Sequence, residues 1–196
     1  MPVRPARDED VSALAATLTR AFHDDPVTAW VYARERRRPF WANRFFRWQL
    51  QRLLPQGVSW TTDDRRGAAL WALPDRWRED GQDTLRLLRS VLPGIVPRLP
   101  RVMKGLNAVE AVHPVRRHLY LAVLGVEPAH QRKGLGSQLI RPGLELCDRE
   151  ALPAYLETSR EGNLAFYGRH GFRVLDELVL PKGPPVWFLW REPAAS

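Results

Sequence analysis

The sequence has very little cysteine and no long apolar stretch, and each shortage excludes a class of protein. Its 196 residues include one cysteine, Cys147, so an internal disulfide is excluded. No apolar run approaches the roughly 18 residues that span a bilayer. The first residues, MPVRPARDED, lack the apolar core of a secretory signal. We therefore expect a soluble, cytoplasmic protein with no membrane partner, in which Cys147 is a structural thiol on a predicted helix.

Metal-binding and common nucleotide-binding motifs are also missing. None of the five histidines stands at metal-ligand spacing from the cysteine or another histidine, so we expect no metal. A glycine-rich stretch at Gly134 and Gly136 does not complete the pattern G-x-G-x-x-G, because Leu139 stands where the third glycine should be. No G-K-[ST] follows at Walker spacing. The two best-known phosphate loops are therefore excluded.

The charge is strongly positive, with 30 Lys and Arg against 22 Asp and Glu and a net charge of +8. Such a charge favours nucleic acid, because basic side chains neutralise phosphates. However, the arginines are spread along the chain, with their densest run at residues 34–38, and no nucleic-acid-binding motif occurs. We expect no nucleic-acid partner, since a basic surface also suits an anionic cofactor.

The length and the hydrophobic content of 44% suit one well-buried domain over residues 1–196. No internal repeat is visible. In the first half, the patterns predict a strand at 3–5, a helix with apolar positions from 11 to 22 and its end near residue 25, an aromatic-rich helix at 39–54 and a hairpin of 58–62 and 68–73. An inserted helical pair within 75–114 follows. The second half is predicted to contain a strand at 119–126, a bent helix from 135, a strand at 154–157, a short helix from 163, and a final antiparallel pair of 172–180 and 186–190.

The stretch from the fourth predicted strand into the next helix is the strongest local signal. The run LYLAVLGV at 119–126 suits a strand buried on both faces, and QRKGLG then turns the chain into a helix. Such a junction directs several backbone N–H groups and the positive end of a helix dipole at one spot, which favours phosphate oxygens. Gly-x-Gly turns also serve as plain helix starts, so spacing alone leaves both interpretations open.

Three stretches resemble the GCN5-related N-acetyltransferase (GNAT) family. They are LGVEPAHQRKGLGSQLI at 124–140, YLETSREGNLAFYGRHGF at 155–172 and LPKGPPVWFLWR at 180–191. In that family a Q/R-x-x-G-x-G/A loop follows the fourth strand and binds acetyl-CoA. The motifs are closest to puromycin N-acetyltransferase and its relatives, although Arg132 stands where those proteins usually have glycine. The resemblance implies an α/β fold with a central mixed, mostly antiparallel sheet, a splayed fourth strand and flanking helices.

The resemblance also implies acetyl-CoA as cosubstrate and a set of residues that bind it. Backbone groups of the splayed strand would bind the pantetheine arm, and N–H groups of the glycine loop would bind the pyrophosphate. Asn163 would begin a helix as its N-cap and would also contact the cofactor. The implied cofactor-binding residues are Leu124, Gly125, Val126, Gln131, Arg132, Lys133, Gly134, Leu135, Gly136, Ser137, Asn163 and Phe166.

Two residues are candidates for the proton transfers that acetyl transfer to an amine requires. Tyr167 matches the family tyrosine of N-x-x-F-Y, and a phenol with a reference pKa of about 10 can donate a proton to the CoA thiolate. Glu157, at the end of a short strand, is the candidate base, with His113 and His118 as alternatives. By pattern alone, such a tyrosine is more often a packed ring and a strand-end glutamate is more often solvated.

The sequence therefore predicts a single-domain enzyme that moves an acetyl group from acetyl-CoA to a primary amine of a small molecule by direct attack. Aromatic residues between 30 and 48 and the inserted helices favour a hydrophobic, antibiotic-like acceptor. The alternatives are an acetyltransferase for peptide or protein N-termini or lysines, and a non-catalytic acyl-CoA sensor. The exposed C-terminal strands leave a homodimer open.

Overall fold

The computed structural model describes residues 2–77 and 94–194, which contain a seven-stranded sheet flanked by helices. The strands are β1 (Val3–Pro5), β2 (Ser59–Thr62), β3 (Gly67–Ala72), β4 (Leu119–Val126), β5 (Ala154–Thr158), β6 (Arg173–Val179) and β7 (Pro185–Arg191). The α-helices are α1 (Val11–Ala21), α2 (Pro26–Val31), α3 (Arg38–Leu53), α4 (Leu99–Val112), α5 (Leu135–Arg149) and α6 (Leu164–Gly168). Within these described ranges, no helix has the length and hydropathy needed to cross a membrane.

The sheet is mixed, with strand order β1-β2-β3-β4-β5-β7-β6. Only β4 and β5 are parallel, and every other neighbouring pair is antiparallel. The predicted mixed, mostly antiparallel α/β fold is therefore confirmed. Of the predicted helical pair within 75–114, α4 is observed, whereas residues 78–93 lie outside the described residues.

The fourth strand separates from the fifth along most of its length. β4 pairs with β5 only at Leu119 and Tyr120, opposite Ala154 and Tyr155. On its other edge β4 carries a bulge at Ala122, because the neighbouring β3 residues Leu70 and Trp71 pair with Val123 and Leu121. A bulge bends a strand and increases its twist. The expected splay of the fourth strand is thus present, and it leaves one edge of β4 without a partner strand after Tyr120.

This gap also corrects the expectation that β4 is buried on both faces. Residues 119, 121, 123 and 125 are buried, but the alternate residues are only half-buried. The reason is that the second half of the strand borders an open gap rather than another strand. A continuous apolar run is compatible with either arrangement.

Helices α1 and α3 cover one face of the sheet, and α5 with α6 covers the other. Leu14, Leu18, Leu50 and Leu53 form the centre of the first layer and have no measurable exposure. Leu139, Ile140 and Trp71 are equally buried in the second layer. The aromatic helix α3 serves the core only in part, since Trp48 is 5% exposed and Phe40 is 59% exposed.

A short helix that the sequence analysis missed follows α1. Asp25 begins α2 as an N-cap, and its carboxylate accepts a hydrogen bond from the Thr28 N–H at 2.9 Å. Pro26 occupies the first helical turn, where its missing N–H costs nothing. The Asp-Pro pair is therefore a helix start as well as the end of the preceding segment.

Helix α5 crosses β3 at a glycine that permits very close packing. The helix runs through Pro142 without interruption, and Gly143 lies directly against the indole ring of Trp71. Cys147, one turn further, is fully buried, and this burial raises the pKa of its thiol to about 12. A thiol in that state is a poor nucleophile, as expected for a structural cysteine.

We predict that Gly143→Ala destabilises the protein by about 1–3 kcal/mol, because the added methyl group would overlap the Trp71 ring. Gly168→Ala is the matched control, since a methyl group there has no heavy atom within 4 Å. Urea unfolding of the two variants measures the difference. Equal midpoints for both variants would show that the α5–β3 contact adapts without cost.

Candidate active site

A cleft of about 1080 Å³ lies beside the second half of β4, where β4 and β5 diverge. Its walls come from β4, the loop before α5, the turn after β5, helix α6 and the turn between α1 and α2. Of the predicted site residues, the cleft is lined by Leu124, Gly125, Val126, Gln131, Arg132, Gly134, Gly136, Ser137, Asn163, Phe166 and Tyr167. Residues more than 40 positions apart in the sequence thus share one cavity.

Two predicted residues of the loop do not line the cleft with their side chains. The Leu135 side chain is 7% exposed and packs in the core under α5. The Lys133 ammonium group donates a hydrogen bond to the Ala129 carbonyl oxygen at 2.9 Å. Both residues can therefore contact a ligand in the cleft only through their backbone N–H groups.

The loop presents an uninterrupted series of free backbone donors. Among the described residues, no protein acceptor binds any backbone N–H from Arg132 to Ser137. The series is bounded by bonded groups, since the Gln131 N–H donates to Pro128 and the Gln138 N–H donates to Gly134. These donors stand at the N-terminus of the 15-residue helix α5, whose dipole adds positive potential. The arrangement is suited to the oxygens of a phosphate or diphosphate.

Two residues with positive φ shape this loop. Gly134, the N-cap of α5, has φ of 80°, which glycine adopts readily. Arg132 has φ of 58°, a conformation that costs an ordinary residue about 1 kcal/mol. This is the position at which the puromycin-type motif usually has glycine, so the loop keeps the backbone conformation and tolerates the strain. The arginine at this position also lines the cleft with a charged side chain.

Asn163 lies on the cleft wall, but it does not cap the following helix with its side chain. Its backbone is already helical, because residues 161–163 form a 3₁₀ turn that leads into α6. The side-chain amide instead donates to the Thr158 hydroxyl at 3.1 Å. The predicted capping hydrogen bond is therefore wrong, and the side chain bridges the end of β5 to α6.

Tyr167 lies in α6 and is 7% exposed, and it forms part of the cleft wall. Its ring packs edge-on against Phe166 and Phe172, with centroid distances of 5.0 and 5.8 Å. Burial raises the pKa of the phenol above its ordinary value, so the group is protonated at neutral pH. In the described part of the chain its hydroxyl makes no hydrogen bond. It is thus a packed ring that retains a free donor.

Glu157 does not line this cleft, and it is not the solvated strand-end residue that its position suggests. Its side chain is only 15% exposed. One carboxylate oxygen accepts a hydrogen bond from the Tyr120 hydroxyl at 2.7 Å, and the other lies 3.5 Å from His113 Nδ1. His113 in turn lies 3.1 Å from His118, measured between their Nε2 atoms. The fold therefore gathers all three candidate bases into one buried cluster.

The candidate acid and base lie on opposite faces of the sheet. Tyr167 packs with Leu156 in the layer beneath α5 and α6. Glu157 shares the other face of β5 with Tyr155, because side chains alternate along a strand. The gap between β4 and β5 lies between the two faces.

The sequence analysis missed the residues that close the cleft from the α1–α2 turn. The Asp25 carboxylate accepts a hydrogen bond from the Ser159 hydroxyl at 3.0 Å and lies 4.0 Å from the Arg160 guanidinium. Arg20 forms a 2.7 Å ion pair with Glu127, which follows β4. No local pattern signals these contacts, since each joins residues more than 100 positions apart.

Within residues 2–77 and 94–194, no group of three or more His, Cys, Asp or Glu side chains is placed to hold a metal ion.

Comparison with known families gives a match that contains the β4, glycine-loop and α6 walls of the cleft. Residues 105–172 match the acetyltransferase (GNAT) family. This stretch runs from α4 through β4, the glycine loop, α5 and β5 to α6. It therefore contains Glu157, Tyr167 and the free backbone donors.

One curated relative covers nearly the whole chain. The uncharacterized N-acetyltransferase C550.08 of Schizosaccharomyces pombe is 26% identical over 215 residues, which cover 98% of this chain and 84% of that protein. The similarity thus extends through the N-terminal half, where motifs are weak. The relative's name supports the same class of enzyme as the family match.

Solved structures share the fold at low sequence identity. A histone acetyltransferase HPA2 and related acetyltransferase from Corynebacterium glutamicum superimposes with a TM-score of 0.74 at 22% identity, covering 99% of this chain and 97% of that one. Arylalkylamine N-acetyltransferase 2 of Aedes aegypti superimposes with a TM-score of 0.67 at 16% identity, covering 98% of this chain and 99% of that one. The PaiA N-acetyltransferase of Thermoplasma acidophilum in complex with coenzyme A superimposes with a TM-score of 0.58 at 12% identity, covering 97% of this chain and 98% of that one.

We predict that Gly134→Ala weakens coenzyme A binding about fivefold, because φ near 80° costs alanine about 1 kcal/mol and relaxation would turn the loop amides. Gly162→Ala is the control, since it lies on the same cleft in open space without a positive φ. Isothermal titration calorimetry gives both dissociation constants. Unchanged affinity in Gly134→Ala would show that this backbone conformation does not position a ligand.

Proposed function

We propose that this chain, an acetyltransferase of the GNAT type, transfers the acetyl group of acetyl-CoA to a primary amine of a small molecule by direct attack. The observation that carries the proposal is the series of free N–H groups from residue 132 to 137 beside an unpaired strand edge. A diphosphate and an amide-bearing arm, the two parts of coenzyme A that precede its thiol, fit these two features in turn.

The loop would bind the cofactor diphosphate through its backbone N–H groups, with the Arg132 guanidinium adding charge-assisted hydrogen bonds. The pantetheine arm carries amides, and these would bond to backbone groups of Leu124 and Val126 as an added strand does. The Val126 carbonyl already accepts a hydrogen bond from the Gln131 side chain at 3.0 Å. Gln131 therefore competes for, or is displaced from, that carbonyl when the arm binds.

Each proton in the reaction has a candidate acceptor or donor. The amine arrives as an ammonium ion, and Glu157 would take its proton on one face of the sheet. The freed nitrogen lone pair attacks the thioester carbon, and the carbon–sulfur bond breaks. Tyr167, on the other face, would donate its phenolic proton to the departing thiolate. The burial of Tyr167 keeps it protonated until that step.

The surroundings of Glu157 support a hydrophobic acceptor. Aromatic rings enclose the cluster, with Trp77 stacked on His113 at 3.5 Å between centroids and Tyr155 edge-on to the same ring at 4.6 Å. The resemblance of the C-terminal motifs to puromycin N-acetyltransferase supports the same class. So does the name of one structural neighbour, an arylalkylamine N-acetyltransferase. An amine carried on an aromatic or alkyl group is the acceptor proposed.

We predict that Tyr167→Phe retains its affinity for acetyl-CoA but loses about 10²-fold or more in kcat, because the thiolate then leaves without a proton donor. Calorimetry and thiol release measure the two effects separately. Tyr32→Phe is the matched control, since Tyr32 is also a buried phenol whose pKa is raised by desolvation. An unchanged kcat in Tyr167→Phe would remove that residue from the acid role.

We predict that thiol release from acetyl-CoA is fastest with hydrophobic amines such as puromycin or an arylalkylamine, compared with aminoglycosides, polyamines and short peptides. The physical reason is the apolar enclosure of the base, which disfavours polycations. Preference for a peptide amine would replace the small-molecule proposal. Binding of acetyl-CoA without release for any amine would indicate a sensor.

A further inference from the structure

A directed chain of hydrogen bonds lies behind Glu157. The Arg116 carbonyl oxygen is 2.6 Å from His118 Nδ1, and His118 Nε2 is 3.1 Å from His113 Nε2. His113 Nδ1 then faces one Glu157 oxygen at 3.5 Å, and the Tyr120 hydroxyl bonds the other oxygen at 2.7 Å. Both histidines are buried, with 8% and 2% exposure. The hydrogen bonds of each imidazole ring therefore come from this series of contacts.

The chemistry of the two ends fixes the direction of the chain. A carbonyl oxygen only accepts, so His118 Nδ1 carries a proton and donates it. Burial lowers the pKa of His118, which keeps that ring neutral and leaves its Nε2 as an acceptor. His113 must then donate from its own Nε2. At the other end Tyr120 donates to the carboxylate, and burial raises the pKa of this phenol.

One position in the chain remains without a proton. In the neutral ring that donates from Nε2, His113 Nδ1 has a lone pair, and it faces the Glu157 oxygen that does not accept from Tyr120. The 3.5 Å separation of these two atoms is longer than a normal hydrogen bond. Because the other hydrogen bonds of His113 and Glu157 hold both side chains in place, one additional proton can be held between His113 Nδ1 and this Glu157 oxygen.

We propose that Glu157 and His113 act as one base, in which the proton of the acceptor amine enters at the Glu157 carboxylate and is held at His113 Nδ1. This inference rests on the proposed acetyl transfer. The ammonium N–H bond breaks and leaves its electron pair on the amine, and the Nδ1–H bond forms. Glu157 ends as a carboxylate and His113 as an imidazolium, so the charge of the pair changes from −1 to 0. His113 and His118 are positioning residues, because they act through Glu157.

The pair is a stronger base than the carboxylate alone. An imidazole is in general a stronger base than a carboxylate, with a reference pKa of about 6.5 against about 4.3 for glutamate. Other charged or titratable groups also face the cluster: Tyr120 and Tyr155 from β4 and β5, Asp75 towards His118 and Arg52 towards Tyr120. Trp77, stacked on His113 at an interplanar angle of 20°, fixes the ring against rotation.

The protonation states can be tested without any acceptor amine. Nitrogen-15 NMR of the histidines in the intact protein should show His118 as the neutral Nδ1–H form at neutral pH. In that state a neutral His113 should carry its proton at Nε2. A protonated His118, or a neutral His113 that carries its proton at Nδ1, would overturn the proposal. Because the NMR measurement involves no turnover, its result does not depend on whether the protein acetylates a small amine.

A pair of variants tests the role in turnover. His118→Gln keeps an oxygen that can accept from His113 Nε2, so it should retain most of kcat. His118→Phe removes that acceptor and frees the His113 tautomer, so kcat should fall about 10-fold or more with the KM for acetyl-CoA unchanged. His113→Gln, which cannot hold the proton, should also lose about 10-fold or more in kcat with the KM for acetyl-CoA unchanged. Equal losses in both His118 variants would indicate a purely structural role. The half-buried His23, which lies outside this cluster, is the control as His23→Gln.

Discussion

The separation of β4 from β5 is the constraint on which the rest of the structure depends. An extra residue at Ala122 turns β4 away after only two paired positions, so the middle of the sheet contains a gap. A gap in a sheet leaves backbone N–H and C=O groups without strand partners, which normally costs free energy. Here the free edge of β4, the free N–H groups before α5 and a free phenol all border the same opening. The proposed ligand, long, amide-containing and anionic, would satisfy these groups in turn.

The gap also divides the chemistry between two faces. The layer under α5 and α6 holds a protonated phenol, and the opposite face holds a carboxylate backed by two histidines. In the proposed reaction, this separation would keep acid and base from neutralising each other directly. It would also let the donor thioester and the acceptor amine approach from different sides. The α1–α2 turn, bonded to the β5–α6 turn through Asp25 and Ser159, closes the cleft.

Much of this arrangement is readable in the sequence, because local patterns encode it. The bounds of β4 follow from its apolar run, and the donors before α5 follow from a strand, a glycine turn and a helix in succession. The bulge at Ala122 leaves no mark in a continuous apolar run. The burial of Glu157 and its contact with His113 join residues 44 positions apart, so no short pattern could signal them. Likewise α2 was missed, because a proline reads equally as a stop and as a first-turn residue.

The most direct test of the account is a crystal structure of the chain with coenzyme A. The account predicts diphosphate oxygens within about 3.2 Å of several backbone nitrogens between Arg132 and Ser137. It also predicts the pantetheine arm along the free edge of β4, with the sulfur in the gap between β4 and β5. Coenzyme bound elsewhere, or the loop amides turned to protein acceptors in its presence, would contradict the account.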